Sequence, residues 1–378
     1  MEDDNNQNHT PQKKELNRDH LLTVLESIRT SSKDLQYLPP FISRSPEADM
    51  GALLELGREI DAVLESDPEL SMLSELLSSL KSTLDELQKS QGYRLVPLIR
   101  RQAKYYRISR IASEIEAHAR GYLDKEIVVN LMRTLSRPDS GEEEKLQALG
   151  DFQDRVEQGF HIGLQDLILK SKAFSILESK LCDPDCPKVG REKSASAIVS
   201  LVKFNRNVFV GLVLMGPTVG ALVSIGSSQS IAALSSLVRL IRSPLIDEMY
   251  VHGEVAQIVN LLGSVENDLA TRVSCLECVC EIAYYGRKEI VKGVIMQGRI
   301  VERLMELQRW VGDRKESPFW SCVSIFAVQV EVGEGLTHQE KRELKMEILK
   351  RVKEASVSEA EAASITAEVL WGSSPWSF

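Results

Sequence analysis

Cysteine is the residue type in this sequence whose spacing comes nearest to a chemical site. Cys275, Cys278 and Cys280 crowd into the helical-looking segment SCLECVCEIA, and Cys182 and Cys186 flank the turn-like segment CDPDC. A structural zinc site needs four Cys or His ligands, usually supplied as two such pairs. Neither segment has a second pair at ligand spacing, so we expect no metal site and no cofactor site. Cys275 and Cys278 share a helix face, where free cysteine packs as a small apolar side chain.

Catalytic signatures are also missing from the sequence. Its six histidines lie neither in a catalytic motif nor at metal-ligand spacing from one another. No G-x-S-x-G or H-E-x-x-H pattern occurs, and GPTVGALVSIG lacks the Gly-Lys-Ser/Thr ending that holds phosphates in a P-loop. We therefore predict that the protein is not an enzyme.

The composition indicates a folded protein that works in a reducing compartment. Of its 378 residues, 43% are apolar and 27% charged, which is typical of globular rather than disordered proteins. The net charge of −9 disfavours general nucleic-acid binding, which needs an excess of Lys and Arg. With six cysteines and no apolar N-terminal segment, we expect no disulfide framework, no signal peptide and a cytoplasmic or nuclear location.

The N-terminal third predicts a bundle of amphipathic helices over residues 16–138, after a polar, disordered tail at 1–15. The segment SDPE at 66–69 has the residues of a helix N-terminus. Beyond it, leucines recur at alternating spacings of 3 and 4 residues: Leu70, Leu73, Leu77, Leu80, Leu84 and Leu87. Because this seam covers only about two and a half heptads, we favour packing within the chain over a dimeric coiled coil.

A run of basic residues follows the leucine seam. Arg100, Lys104 and Arg107 lie within about a fifth of the circumference of a helix. We call these three residues the basic patch. It is either a dock for an acidic partner, a phosphorylated segment or an anionic lipid headgroup, or an ordinary solvated helix face.

Four segments of the C-terminal part repeat one pattern of apolar residues after a helix break. The breaks fall at Ser171, Gly216, Gly253 and Gly298, at spacings of 45, 37 and 45 residues. Before each glycine lies another apolar helix, rich in small residues: SASAIVSLV, SIAALSSLV and RVSCLECVC. Helices that recur at a period near 40 residues predict a helical solenoid. The turn-rich segment SRPDSGEEE at 136–144 marks its start, and we assign the repeats to residues 142–355.

The segment VHGEVAQIVNLL resembles the last-helix motif of armadillo repeats, and the resemblance covers residues 142–310. N-terminal helices followed by such repeats are similar to plant U-box ubiquitin ligases and to their relatives without a U-box. The Cys-Pro-Ile segment of a U-box is absent, so ligase activity does not carry over. The resemblance implies an all-α fold, in which an N-terminal helical bundle is followed by an armadillo-like right-handed α-solenoid.

Residues 207–238 contain no charged side chain, which raises the question of a membrane span. Their 32 residues exceed the roughly 20 that a spanning helix needs. Gly216, Pro217 and Gly220 interrupt the run, however, and GSSQS breaks it again at 226–230. The repeat pattern predicts two helices of 8–12 residues and the start of a third. We favour a buried repeat, with a membrane anchor through 208–226 as the alternative.

Solenoids bind partners along a concave face, which the resemblance assigns to the last helix of each repeat. The polar positions on that helix are Gln257 and Asn260 in one repeat, and Arg303 and Glu306 in the next. These four residues are the candidates for binding a protein partner; the alternative, which we favour from the sequence, is ordinary surface. The expected function is a non-catalytic protein–protein interaction or scaffold protein. A substrate-recruiting adaptor of the ubiquitin pathway without its own U-box is the alternative.

The C-terminal residues predict two closing helices and a tail. THQE at 337–340 and SEAE at 358–361 are both capping boxes, and we assign residues 356–378 to the last helix and the tail. The tail sequence GSSPWSF carries Trp376 and Phe378. It is either disordered, which we favour from the sequence, or a docking peptide.

Overall fold

The computed structural model describes residues 10–36, 46–59, 70–88, 95–264, 266–311 and 316–371, and throughout these ranges the regular structure is helical, without a strand. The all-α prediction is therefore confirmed for the described residues. The chain divides into two compact units. The first comprises residues 1–130 and 161–171, and the second comprises residues 131–160 and 172–378. The boundary falls within a helix, not in the turn-rich segment at 136–144.

The described helices are numbered in chain order. The earlier ones are α1 (Thr10–Gln36), α2 (Pro46–Glu59), α3 (Ser71–Gln88), α4 (Leu95–Ser136), α5 (Glu142–Glu157), α6 (Ile162–Ser171), α7 (Ala173–Cys182), α8 (Lys188–Phe204), α9 (Arg206–Met215) and α10 (Thr218–Ile225). The later ones are α11 (Ser228–Ile241), α12 (Ser243–His252), α13 (Glu254–Gly263), α14 (Leu269–Tyr285), α15 (Lys288–Met296), α16 (Ile300–Val311), α17 (Cys322–Val332), α18 (His338–Ala355) and α19 (Glu359–Trp371). Helix α1 begins inside the stretch predicted as a tail.

The leucine seam of α3 forms part of the core of the first unit. Leu70, Leu73, Leu77, Leu80 and Leu84 are buried together with apolar residues of α1 and α4, among them Leu25, Ile28, Ile111 and Ile115. This confirms packing within the chain. The side chain of Leu87 and the segment at 66–69 lie outside the described residues.

The second unit is built from two series of helices. The helices α5, α8, α11, α14 and α17, most of which have 14–17 residues, pack side by side in chain order, and we call them the long-helix layer. The helices α7, α10, α13 and α16 pack in a second series, the short-helix layer. Three successive helices make one repeat, as in α9–α10–α11, α12–α13–α14 and α15–α16–α17. This arrangement is an armadillo-like solenoid.

Local sequence explains where these helices begin and end. Gly253 ends α12 and opens α13 with a φ of 83°, a conformation that disfavours residues with a Cβ. The predicted capping box at α18 is present, because the Thr337 side chain accepts from the Glu340 amide and Glu340 reaches back to the Thr337 amide. At α19 the Ser358 hydroxyl accepts from the Glu361 amide over 3.2 Å.

The long helices are apolar enough to be buried on more than one side. In α14, Cys275, Cys278 and Ile282 are fully or almost fully buried between α11 and α17. Burial raises the pKa of Cys275 and of Cys278 to about 12, so both thiols stay protonated at neutral pH. The prediction that these cysteines pack as small apolar side chains is confirmed.

Polar side chains connect each repeat with the next at separations near the repeat length. The Thr218 hydroxyl donates to Glu178 Oε1 over 2.6 Å, 40 residues apart. Arg239 Nε of α11 donates to Glu281 Oε1 of α14 over 2.6 Å, 42 residues apart. Each of these hydrogen bonds joins a side chain to a group in the neighbouring repeat, so it helps to fix the position of one repeat on the next.

The uncharged run forms α9, α10 and the start of α11, as predicted. The axes of α9 and α10 bend by 69° at Gly216 and Pro217. Phe209 and Val213 of α9 are buried, as are Val219 and Leu222 of α10. Among the described helices, no single one is long and apolar enough to cross a membrane, although the bent pair α9–α10 passes that test together.

The packing of α9 can be tested with Phe209→Ala. Phe209 is 0% exposed and its ring stacks on Phe174 with centroids 6.2 Å apart. We expect its removal to lower the free energy of unfolding by about 3–5 kcal/mol, measured by urea denaturation in detergent-free buffer. Met215→Ala, in the same helix at a side chain 84% exposed, is the matched control and should change stability by less than about 0.5 kcal/mol. Equal, small effects of both substitutions would contradict a buried repeat.

Candidate functional site

The four predicted partner-binding residues lie in the short-helix layer, on α13 and α16. These are the middle helices of their repeats, whereas the sequence pattern predicted the last helix, because the glycine break that it follows opens the second of three helices and not the third. Gln257 and Asn260 are exposed on α13, Glu306 is exposed on α16, and Arg303 of α16 is half-buried. Arg303 Nη2 donates to Asn260 Oδ1 over 2.8 Å, and Nη1 donates to the Val259 carbonyl over 3.1 Å. The structure thus brings Arg303 and Asn260 into direct contact across two repeats.

Arg303 is held in this position by the shape of α13 as well as by its hydrogen bonds. A Cβ atom at Gly263 would lie 2.3 Å from Arg303 Nη1, so the absence of a side chain there makes room for the guanidinium. Arg303 and Asn260 therefore connect neighbouring repeats, whereas Gln257 and Glu306 present polar groups to solvent.

The basic patch lies on α4 in the first unit. Lys104 Nζ donates to the Glu86 carbonyl over 2.6 Å and lies 3.9 Å from the Glu86 carboxylate. Arg107 is exposed, and the side chain of Arg100 lies outside the described residues. Lys104 thus connects α4 to α3, and a partner for this patch remains a prediction.

A groove of about 730 Å³ lies on the long-helix layer, where sequence reasoning predicted no site. Its walls come from α11, from α14, from the segment that precedes α17, and from α17 itself. The lining residues are Arg239, Val273, Leu276, Glu277, Cys280, Glu281, Glu316, Ser317, Pro318, Trp320, Ser321, Ile325 and Gln329. This volume is in the range of natural ligand sites, about 300–1,000 Å³.

One face of α14 supplies the floor and the acidic edge of the groove. Glu277 lies 4 residues after Val273, and Cys280 and Glu281 lie 3 and 4 residues after Glu277, so all four are on the same side of the helix. Arg239 Nε of α11 donates to Glu281 Oε1 over 2.6 Å, and this hydrogen bond raises the pKa of Arg239. Glu277 is exposed and makes no ion pair within the described part of the chain.

The segment that precedes α17 and α17 itself add apolar and aromatic side chains to the lining. Pro318 is exposed, Trp320 and Ile325 are half-buried, and Ser321 is buried where this wall meets the start of α17. Among the described lining residues, the carboxylates are Glu277, Glu281 and Glu316, against the single guanidinium of Arg239. The groove therefore combines an apolar wall with an acidic edge.

A second cavity, of about 490 Å³, lies between α9, α10 and α12. It contains the side chains of Arg191, Glu248, His252 and Glu254. Arg191 Nε donates to the Leu181 carbonyl over 2.9 Å, so its charge caps the end of α7. Throughout the described residues, no group of three or more His, Cys, Asp or Glu side chains is placed to hold a metal ion.

The sequence pattern predicted the apolar helices SIAALSSLV and RVSCLECVC, but it did not predict the groove that they help to form. A signal was available, because Glu277 and Glu281 lie 4 residues apart on a helix whose other residues are mostly apolar. Trp320 gave no such signal, since it lies between helices and joins the groove only through the packing of α17 on α14.

The link between Arg303 and Asn260 can be measured with a double-mutant cycle. We expect Arg303→Ala and Asn260→Ala to show a coupling free energy of about 0.5–1.5 kcal/mol in urea denaturation, because one charge-assisted hydrogen bond joins them at a partly exposed position. A cycle of Arg303→Ala with Gln257→Ala is the control, with an expected coupling below about 0.3 kcal/mol. Indistinguishable couplings in the two cycles would show that the hydrogen bond does not connect the repeats in solution.

A second stability prediction concerns Glu368 of α19. Burial raises the pKa of Glu368, although hydrogen bonds from Gln308 and Ser321 favour its charged form. Because the folded state binds this proton more tightly than the unfolded state, the contribution of Glu368 to the free energy of unfolding should fall as pH rises from about 4.3 through the folded pKa. Glu368→Gln should remove this fall, as measured by urea denaturation at a series of pH values. Gln257→Ala, which removes no titratable group, should retain it; a Glu368→Gln profile parallel to wild type would exclude this residue as the cause.

Comparison with known proteins found no matching protein-family model and no matching curated protein. Among solved structures, a designed armadillo repeat protein matches with a TM-score of 0.44 and 16% identity, over 65% of this chain and 99% of that chain. An engineered protein solved by a structural genomics consortium matches with a TM-score of 0.45 and 15% identity, over 91% of this chain and 77% of that chain. Both TM-scores are below 0.5, so the armadillo-like fold rests on the helix pattern of the chain itself.

Proposed function

We propose that this protein is a non-catalytic binding protein that holds an extended segment of a partner protein in the groove of the long-helix layer. The observation that carries the proposal is the combination of an apolar, aromatic wall with an acidic edge in one groove of about 730 Å³. Aromatic side chains beside a solvated groove are frequent anchors in protein interfaces.

The groove predicts the chemistry of the partner segment. Glu277 is exposed, and Glu281 and Glu316 add negative charge that Arg239 offsets only in part. Acidic side chains of this kind attract Lys and Arg and fix their register, while Trp320 and Ile325 offer an apolar contact. The expected partner segment therefore has basic side chains next to at least one large apolar side chain.

The side chains of the groove also support a non-catalytic function. Burial raises the pKa of Cys280 to about 12, which keeps its thiol protonated and poorly nucleophilic. The described lining includes no histidine that would act as a general base. All six cysteines are free thiols, which supports the proposed cytoplasmic or nuclear location.

The proposal can be tested by selecting twelve-residue peptides from a random display library on the immobilised full-length protein. We expect the selected peptides to be enriched in Lys or Arg next to Trp, Phe or Leu. Their affinity, measured by fluorescence anisotropy, should fall at least about tenfold with Glu277→Lys, which is about 1.4 kcal/mol of binding free energy. The affinity should also weaken with rising salt concentration.

Glu306→Lys is the matched control, because it makes the same charge change at an exposed residue of the short-helix layer. We expect this variant to bind the selected peptides as wild type does. The opposite result, with binding lost in Glu306→Lys and kept in Glu277→Lys, would refute the groove and transfer the partner site to Gln257, Asn260, Arg303 and Glu306.

A further inference from the structure

The cavity of about 490 Å³ between α9, α10 and α12 is separate from the groove, because the two have no lining residue in common. Its apolar lining comes mainly from six side chains: Val213, Leu214, Val219, Ala221, Leu245 and Met249. Gly220 keeps space open beside them, since a Cβ atom there would make one ordinary contact, 3.7 Å from Glu254 Oε1. A volume of this size with an apolar lining is typical of a site for a small organic molecule.

The carboxylate of Glu254 is one of two charged groups held inside this cavity. Glu254 is the first residue of α13, where the helix dipole stabilises a negative charge. Its Oε2 atom is sheltered from solvent, and no group in the described part of the chain donates a hydrogen bond to it. A carboxylate oxygen shielded from water needs a hydrogen-bonded cation, because burying an unpaired charge is costly. The cavity therefore has a place for an ammonium group.

The guanidinium of Arg191 is the other charged group held inside the cavity. Arg191 belongs to α8, and its Nε donates to the Leu181 carbonyl over 2.9 Å, which fixes the half-buried side chain at the end of α7. Within the described ranges, Arg191 makes no ion pair with a carboxylate. Its two Nη atoms are thus available, and a guanidinium binds a carboxylate through two parallel hydrogen bonds. The cavity therefore has a place for a carboxylate as well.

Glu248 and His252 of α12 also line the cavity, but their side chains are 52% and 63% exposed. His252 Nδ1 lies 3.0 Å from the Glu248 carbonyl oxygen and 3.8 Å from Glu248 Oε2. These two residues thus contact each other on the solvent side of the cavity. Glu254 and Arg191 remain as the two opposite charges that a ligand would pair with.

We propose that this cavity binds a free aliphatic α-amino acid, whose ammonium group donates to Glu254 and whose carboxylate accepts from Arg191. The aliphatic side chain of the ligand packs on Val219, Leu245 and Met249. A zwitterion pairs both charges of the cavity at once, whereas an amine leaves Arg191 unpaired and a simple carboxylate leaves Glu254 unpaired. This site does not rest on the proposed function, because it shares no residue with the groove.

The ligand class can be tested by isothermal titration calorimetry of the dialysed full-length protein with L-leucine. We expect a dissociation constant of about 1 mM or lower. Isopentylamine, which is leucine without its carboxylate, and 4-methylpentanoate, which is leucine without its ammonium group, should each bind at least about tenfold more weakly. Equal binding of leucine and either analogue would overturn the proposal. So would the absence of binding by L-leucine, L-isoleucine, L-valine and L-methionine up to about 10 mM.

Two variants test the position of the ligand. Glu254→Gln removes the charge without changing the size of the side chain, and it should weaken leucine binding at least about tenfold. Glu306→Gln, at an exposed residue of α16, is its control and should bind leucine as wild type does.

Gly220→Leu places a side chain beside Glu254 inside the cavity, and it should abolish leucine binding. Leucine is a better helix former than glycine, so α10 is retained, and an unchanged urea midpoint without ligand verifies the fold of each variant. Gly211→Leu, at an exposed glycine of α9 where a Cβ would meet no atom within 4 Å, is the control and should leave binding unchanged. Leucine binding that survives both Glu254→Gln and Gly220→Leu would exclude this cavity as the site.

Discussion

The second unit depends on the burial of each long helix between its two neighbours. Helix α14 has four fully or almost fully buried residues, Cys275, Cys278, Val279 and Ile282, and it packs on α11 and on α17. A single repeat cannot cover such a helix, so the apolar surface is satisfied only when repeats stack. The last long helix, α17, also needs a cover, and α18 and α19 supply it by packing on α17. Arg309 Nε of α16 donates to Glu361 Oε1 of α19 over 2.6 Å.

Stacking also decides where polar residues are available for recognition. The apolar faces of the long helices pack against neighbouring helices. The polar residues that line the groove therefore lie at the edges of those faces, chiefly Glu277 and Glu281 of α14. On the short-helix layer, Arg303 and Asn260 already hydrogen-bond to each other across repeats. Polar residues on the surface of this solenoid thus fall into two groups. Some hydrogen-bond to the neighbouring repeat, as Arg303 does, and others face solvent, as Glu277 does.

The uncharged run at 207–238 follows from the same burial. The interior of a stacked repeat disfavours unpaired charged side chains, as a lipid bilayer does, so hydropathy alone does not separate the two. The path of the backbone does separate them here, since Gly216 and Pro217 bend α9 against α10 by 69° and Phe209 stacks on Phe174. Helix α9 packs on α8 and α12, whereas α10 packs on α7 and α13.

The sequence by itself determined the features that arise within a few residues of each other. These are the helical class, the breaks at Ser171, Gly216, Gly253 and Gly298, the Thr337–Glu340 capping box and the buried leucine seam of α3, because local hydrogen bonds and a period of 3.6 residues encode them. Only the tertiary structure decided which groove exists, that Trp320 and Glu277 line it together, that Arg303 meets Asn260 from 43 residues away, and that α19 packs on α17. Those contacts depend on how one repeat packs on the next, and no local pattern specifies the packing angle or the register.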